Sequence, residues 1–536
     1  MNYLKHSVLL LFILSFLAGS ASATSYYVAA NGSDSNDGKS QSTPWLHAPG
    51  MPAFTGSYSA SAGDQIIFRG GDTWHFGNSS QSPYVGGTSW TFSHSGASGN
   101  PIYIGTDHNW YAGSSYARPI FNGDDPVTTS TVSSCKYDYN NVNVVLLGGD
   151  SHIRFDDIEF TGFCYSGTSD PNAGFVNFGG TDAIIEHCYF HGFTIQSNLQ
   201  YDEQVAIHGS GTGFKGDSTN QCLYNVFDNS DGSYGTTGTY PNGKATLEAI
   251  QNACGIVAYN VFRRVSNGVV GTSISLHDNL FVDLYEPQGS VHGNIWNSNN
   301  DGLVNVGSQS FYNNVFHDIN EGVSVWLMPT PVGYIFNNIE WNNSNSVNCY
   351  VIGGSSSATI YFYNNTSDAP CALRALNNGS DPVWRGTVHL ANNHYIGYSS
   401  ASLPNTYICD SGATCSWVDD DPTSEIFQSE SVANSQGYSR SNMYAPTSGS
   451  GATVGIAGNY ANLCGNFSPD SALCKGTSQS VSEQSDEGGK VAVSPAITMV
   501  SRAASGAGAW NSGAYYFGGV SSSNPNPPTS LSATVQ

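Results

Sequence analysis

Charge is what this sequence lacks most. Charged residues occupy 10% of its 536 positions, against roughly 25% in an average globular protein. Cations are scarcest: 16 lysines and arginines face 40 acids, for a net charge of −24. That balance argues against nucleic acid and anionic membranes as partners. It also disfavours a strongly anionic polymer unless a local basic patch overrides the global field. Long apolar runs are missing too, since nothing beyond Leu17 approaches the ~18 residues of a membrane span. No Cys-x-x-Cys spacing occurs among the 11 cysteines, which leaves no zinc-finger pattern. Helical signals are few, and only Lys244 to Asn252 (KATLEAIQN) reads as a short helix.

The first 23 residues read as an export signal. Lys5 and His6 precede an apolar run from Val8 to Leu17, and Ala21-Ser22-Ala23 supplies a small-residue cleavage site. The mature chain is expected to start near Thr24 and to be secreted, extracellular or at the cell surface. Eleven cysteines suit an oxidising compartment, and the odd count leaves a thiol over. Cys409 with Cys415 and Cys464 with Cys474 are close enough in sequence to staple loops. Cys349 and Cys371 are spaced to bridge adjacent turns of a repeat.

What the chain has instead is a short repeated cassette, an asparagine followed by apolar or aromatic residues. It reads Asn225-Val226-Phe227, Asn260-Val261-Phe262, Asn279-Leu280-Phe281, Asn294-Ile295-Trp296, Asn314-Val315-Phe316, Asn338-Ile339-Glu340-Trp341, Asn365-Thr366 and Asn393-His394-Tyr395. From Asn225 to Asn393 the mean interval is 24 residues. A unit that short buries its apolar face only by stacking on copies of itself, so the pattern predicts a solenoid. Short β-branched runs bounded by Gly, Asn or Asp, such as Gln65 to Phe68 and Ala183 to Glu186, make the stacked elements strands. The asparagine is expected to take the bend between strands in a left-handed conformation and to bond its copies as a ladder. Cys188 aligns with the asparagine position.

Three segments resemble the right-handed parallel β-helix proteins that include the pectate-lyase-like enzymes. Tyr26-Tyr27-Val28 through Asn31-Gly32-Ser33-Asp34-Ser35-Asn36-Asp37-Gly38 to Pro44-Trp45 is similar to the opening of many secreted members. Gly63-Asp64-Gln65-Ile66-Ile67-Phe68 resembles their first turn. Ser494-Pro495-Ala496-Ile497 and Trp510-Asn511-Ser512-Gly513-Ala514-Tyr515 resemble their ending, with Thr498 and Asn511 in place of two aspartates. The resemblance implies an all-β solenoid of about a dozen turns over residues 24–517. Residues 24–100 would form the N-terminal cap and first turns, and 396–517 irregular loops and a C-terminal cap. Residues 518–536 read as a Pro/Ser-rich tail. Asp34 to Gly38 carries oxygen ligands but lacks the distal Glu of a Ca²⁺ loop, and reads as an Asx turn.

In this fold sites form on a long sheet walled by inserted loops, so the widest cassette intervals, from 188 to 260, are where chemistry is expected. That stretch gathers Asp202, Glu203, His208, Lys215, Asp217, Lys244, Glu248, Arg263 and Arg264. Lys215 and Lys244 are the only lysines between Lys136 and Lys475. Polysaccharide β-elimination needs a base and a cation that neutralises the uronate carboxylate. Lys244 or Lys215 would be the base and Arg263 or Arg264 the neutraliser. Asp202, Glu203 or Glu248 would be ligands if Ca²⁺ is the cofactor. Hydrolysis needs two carboxyl groups, for which Asp202 or Glu203 with Glu248 would serve. His208 and Trp326 are candidate sugar contacts. His277 and His292 read as stacked turn residues.

Two functions follow from these residues. The first is a secreted, monomeric carbohydrate-active protein that cleaves a polysaccharide, by elimination in preference to hydrolysis. The second is a non-catalytic glycan-binding or surface protein, favoured by the net charge of −24.

Overall fold

The computed structural model describes residues 23–517 except 88, 129, 139–141, 167–173, 197–203, 210–218, 232–246, 272–273, 285–294, 298–307, 320–322, 328–330, 343–347, 353–357, 369–372, 376–384, 398–406, 410–413, 422, 467–471 and 487–490. Three parallel sheets of 13, 12 and 11 strands run its length, here termed A, B and C. Successive strands of each sheet come from successive turns of the chain. With the right-handed crossover of parallel strands, the fold is a right-handed parallel β-helix.

One turn shows why the sequence winds this way. Ile256–Ala258 lies in sheet A, Val261–Arg263 in sheet B and Asn267–Val270 in sheet C. Tyr259 (φ 60°) and Arg264 (φ 54°) are the left-handed corners. The cassette asparagine is therefore not the bend, contrary to expectation. The bend falls on the residue before it, at Tyr259, Asp278, Asn313, Asn337, Asn364 and Asn392. Asn and Asp tolerate that conformation at low cost. This frees the cassette asparagine to keep both its amides aligned along the stack.

The ladder itself is present. Asn279 Oδ1 accepts from the backbone N of Asn260 at 2.9 Å and from its Nδ2 at 3.1 Å. Asn279 in turn donates to Asn314 Oδ1 and to the Val257 carbonyl. The series continues through Asn338 and Asn365 to Asn393. It starts at Asn225, and Cys188 holds the preceding rung, its backbone N donating to Asn225 Oδ1 at 3.0 Å. The cassette at Asn294 is a false rung. Asn279 bonds Asn314 directly, Asn294 lies outside the described residues, and Trp296 stands in sheet C. A third long interval therefore separates Asn279 from Asn314.

Below the ladder, sheet B sends one residue per strand into the core. Phe160, Phe190, Phe227, Phe262 and Phe281 stack with ring centroids 4.5–5.1 Å apart. Aromatic pairs at such separations add to what area burial alone contributes. The stretch predicted as a helix contains the strand Leu247–Gln251, paired on both sides by Gln204–Gly209 and Asn267–Val270.

The N-terminal motif forms its Asx turn at Asp37, whose Oδ1 accepts from the Lys39 backbone N at 3.1 Å, while Asp34 ties the motif to residues farther along the chain. Asp34 Oδ1 accepts from the backbone N of Leu46 and His47, and its Oδ2 meets His47 Nδ1 at 2.8 Å. At the other end the winding continues to Ile426–Gln428. The chain then runs along the flank. Trp510, Leu473 and Ala457 bury against Tyr312, Phe336 and Tyr363 at the edge of sheet A. Tyr438, Tyr444 and Tyr515 join the cluster formed by the outer row Val226, Val261, Leu280, Val315 and Ile339 of sheet B.

Disulfides join Cys135–Cys164, Cys222–Cys254, Cys409–Cys415 and Cys464–Cys474. The last two are pairs expected from spacing, whereas Cys371 lies outside the described residues. Cys188 is a buried free thiol. Four bridges suit an oxidising compartment. Among the described residues no helix is long and apolar enough to cross a membrane.

Candidate functional site

Sheet C differs from its neighbours in the residues it carries away from the core. Val176, Ile207, Ile250, Val269 and Trp296 are Cα partners on successive strands and belong to the core. The residue after each of the first four forms an outer row in the same register: Asn177, His208, Gln251 and Val270. Asn297, Trp326, Val351 and Arg374 hold the next register positions. A second outer row places Val205, Glu248 and Asn267 opposite one another.

Polar residues hold the middle of this face. Asn177 Nδ2 donates to His208 Nδ1 at 2.9 Å. Burial lowers the pKa of His208, and a hydrogen bond with Gln251 only partly opposes it. His208 is thus a neutral imidazole held between two carboxamides at neutral pH, with a lone pair on one ring nitrogen and a proton on the other. Glu248 is 2% exposed, and Asn267 beside it 1%. Within the 11 strands of sheet C, His208 is the only histidine and Glu248 the only acid. They stand on adjacent strands, offset by three residues or about 10 Å along the sheet.

Of the residues predicted from sequence, the structure brings together His208 and Glu248. Trp326 shares the register row of His208, four strands away, or about 19 Å. Arg263 and Arg264 go elsewhere. Arg263 ends a sheet B strand as the Cα partner of Asp228. Arg264 lies past the strand end and binds Asp283 Oδ2 at 2.7 Å. The two do not alternate on one strand, because the left-handed corner intervenes. Asp202, Glu203, Lys215, Asp217 and Lys244 lie outside the described residues. In sequence, Glu203 immediately precedes the His208 strand, and Lys244 sits three residues before the Glu248 strand. His277 is stacked, its ring 4.7 Å from Tyr312, but it ends a sheet A strand and is not in the turn, which falls on Asp278; His292 lies outside the described residues.

Asn177, Gln251 and Asn267 were not predicted. The one available signal was their place beside core residues in sheet C strands. For Ca²⁺, which takes six to eight oxygens and favours carboxylates, the described outer face offers one acid and three carboxamides. That set falls short, and no step is derived through the ion.

No family model matches the chain, and no curated protein does. Among solved structures it is similar to pectate lyase Pel9A at 15% identity, TM-score 0.38, over 73% of this chain and 80% of that one. A rhamnogalacturonan lyase matches at 13% identity, TM-score 0.35, over 75% and 88%. GH136 lacto-N-biosidase from Eubacterium ramulus matches at 10% identity, TM-score 0.31, over 76% and 68%. At these values the likenesses carry nothing about activity, and the fold stands on the strand register itself.

Proposed function

We propose that this is a secreted protein that binds a polysaccharide along the outer face of sheet C and cleaves it by β-elimination. The observation that supports this most is the convergence of scarce groups. The only histidine and only acid of sheet C's strands lie on neighbouring strands, and the only lysines between Lys136 and Lys475 fall in the sequence segment that joins those two strands. In this reading the buried carboxamides of Asn177 and Gln251 hold the His208 ring in place for the sugar. His208, neutral and partly open, or Lys215 or Lys244 takes the proton α to the uronate carboxylate. Glu203 and Glu248 orient the base or the sugar, and Asp202 and Trp326 extend the binding face.

The test is incubation with a panel of uronate polymers, with and without Ca²⁺, reading absorbance of the unsaturated product. Product with one polymer, lost in Lys244→Ala or His208→Ala, is expected. Absence of unsaturated product from every polymer would sink the elimination reading, and reducing ends without unsaturation would select hydrolysis. The rival reading is a non-catalytic glycan-binding rod, favoured by the net charge of −24. Binding without turnover would select it.

A further inference from the structure

A second concentration of ionisable groups lies on sheet A, in the turns before the asparagine ladder begins. Asp156 and Glu186 are Cα partners on the adjacent strands Ile153–Asp156 and Ile184–Glu186. His187 follows as the left-handed corner, φ 53°. One donor atom from each of the three lies within 4.8 Å of the other two. His187 Nδ1 is 2.8 Å from Asp156 Oδ1 and 3.9 Å from Glu186 Oε2.

Each carboxylate is tethered by its other oxygen. The Tyr103 hydroxyl donates to Asp156 Oδ2 at 3.0 Å, and Arg154 pairs with Glu186 Oε1. The Tyr224 ring stacks on the His187 imidazole at 5.1 Å. Outer partners of this kind orient the ligands of metal sites. Like charges directly opposite on paired strands repel, and a cation between them removes that cost. His187 keeps 26% of its side-chain surface and Asp156 13%, so an ion can enter from solvent.

We propose that Asp156, Glu186 and His187 bind one divalent transition-metal ion such as Zn²⁺, with water completing its shell. Two oxygens and an imidazole nitrogen suit that class, whereas Ca²⁺ takes oxygens alone. The ion would clamp two successive turns where the ladder is missing. The rung position is Cys188 in one of these turns and Ile158 in the other, neither of which offers a carboxamide. This site is separate from sheet C and does not depend on the proposed cleavage.

Calorimetric titration of the chelator-treated full chain with Zn²⁺ tests it. One ion per chain is expected, with a higher melting temperature. His187→Gln and Glu186→Gln should each weaken binding by at least about tenfold. His389→Gln, at another His–Asp contact, should leave it unchanged. Co²⁺ absorption gives a second readout, with ligand-field bands that disappear in Glu186→Gln should His187→Gln lose its β-sheet spectrum. No saturable binding to the parent chain, or binding unaltered by Glu186→Gln, overturns the proposal.

Discussion

Asn393 donates twice to one oxygen of Glu425: its backbone N reaches Oε1 at 3.2 Å and its Nδ2 at 2.8 Å, the other Nδ2 proton going to the Phe362 carbonyl. Glu425 stands where the next asparagine of the ladder would stand, so the stack ends on an acceptor that needs no further rung above it. Both Asn393 groups are fully buried. Glu425→Gln keeps an oxygen in place and should leave thermal stability nearly unchanged. Glu425→Ala orphans two buried donors, each costing about 1–3 kcal/mol. It should lower the melting temperature clearly, and equal melting of the two variants would refute the terminator role.

The ladder was legible because the corner between sheets A and B has fixed length. A left-handed residue and then an asparagine recur at every turn from Asn279 to Asn393. Sheet C was not legible for the opposite reason. The connections on both its edges vary from turn to turn, so the ladder does not set the register of its strands. The alignment of His208 with Gln251, or of Glu248 with Asn267, could not be counted from sequence. The strand Leu247–Gln251 looked helical because Leu, Glu, Ala and Gln favour helix locally. Pairing on both sides and a buried position overrode that preference. Arg263 and Arg264 part because the left-handed corner falls on Arg264, directly after the strand that Arg263 ends.

His191 gives a pH test of the outer face of sheet B. Its Nε2 meets Glu159 at 2.9 Å, its Nδ1 meets Asp231 at 2.8 Å, and its ring stacks on Tyr189 at 4.0 Å. Burial alone would lower its pKa, but the bonds to Asp231 and Glu159 override it and push the value up to about 9. The unfolded value is about 6.5. A folded pKa above the unfolded one means that the imidazolium stabilises the fold fully below pH ~6.5, and that this contribution fades as pH rises towards ~9. Melting temperatures of the parent and His191→Gln should therefore differ most at pH 6 and converge by pH 9–10. A gap that stays constant across that range would show that His191 acts by packing alone.

Glu340 interrupts the aromatic row inside the solenoid. Along sheet B the inward position passes from Phe281 to Phe316, then to Glu340, Ser367, Tyr395 and Phe427. A carboxyl therefore sits where seven preceding turns, from Phe121 to Phe316, place phenylalanine. Burial drives its pKa well above the usual range, and a bond to Ser367 only partly opposes this. Its Oε2 and the nearby Tyr350 hydroxyl are both buried without a hydrogen-bond partner among the described residues. Such groups destabilise a core, and an apolar side chain of similar length removes the cost. Glu340→Met should therefore melt higher than the parent at pH 7–8. Because the acid is held protonated in the fold and ionises at pH ~4.3 when unfolded, the parent loses relative stability as pH rises above that value. The advantage of Glu340→Met should shrink towards pH 4. A lower melting temperature for Glu340→Met at every pH would instead mean that the carboxyl holds this part of the core together through Ser367.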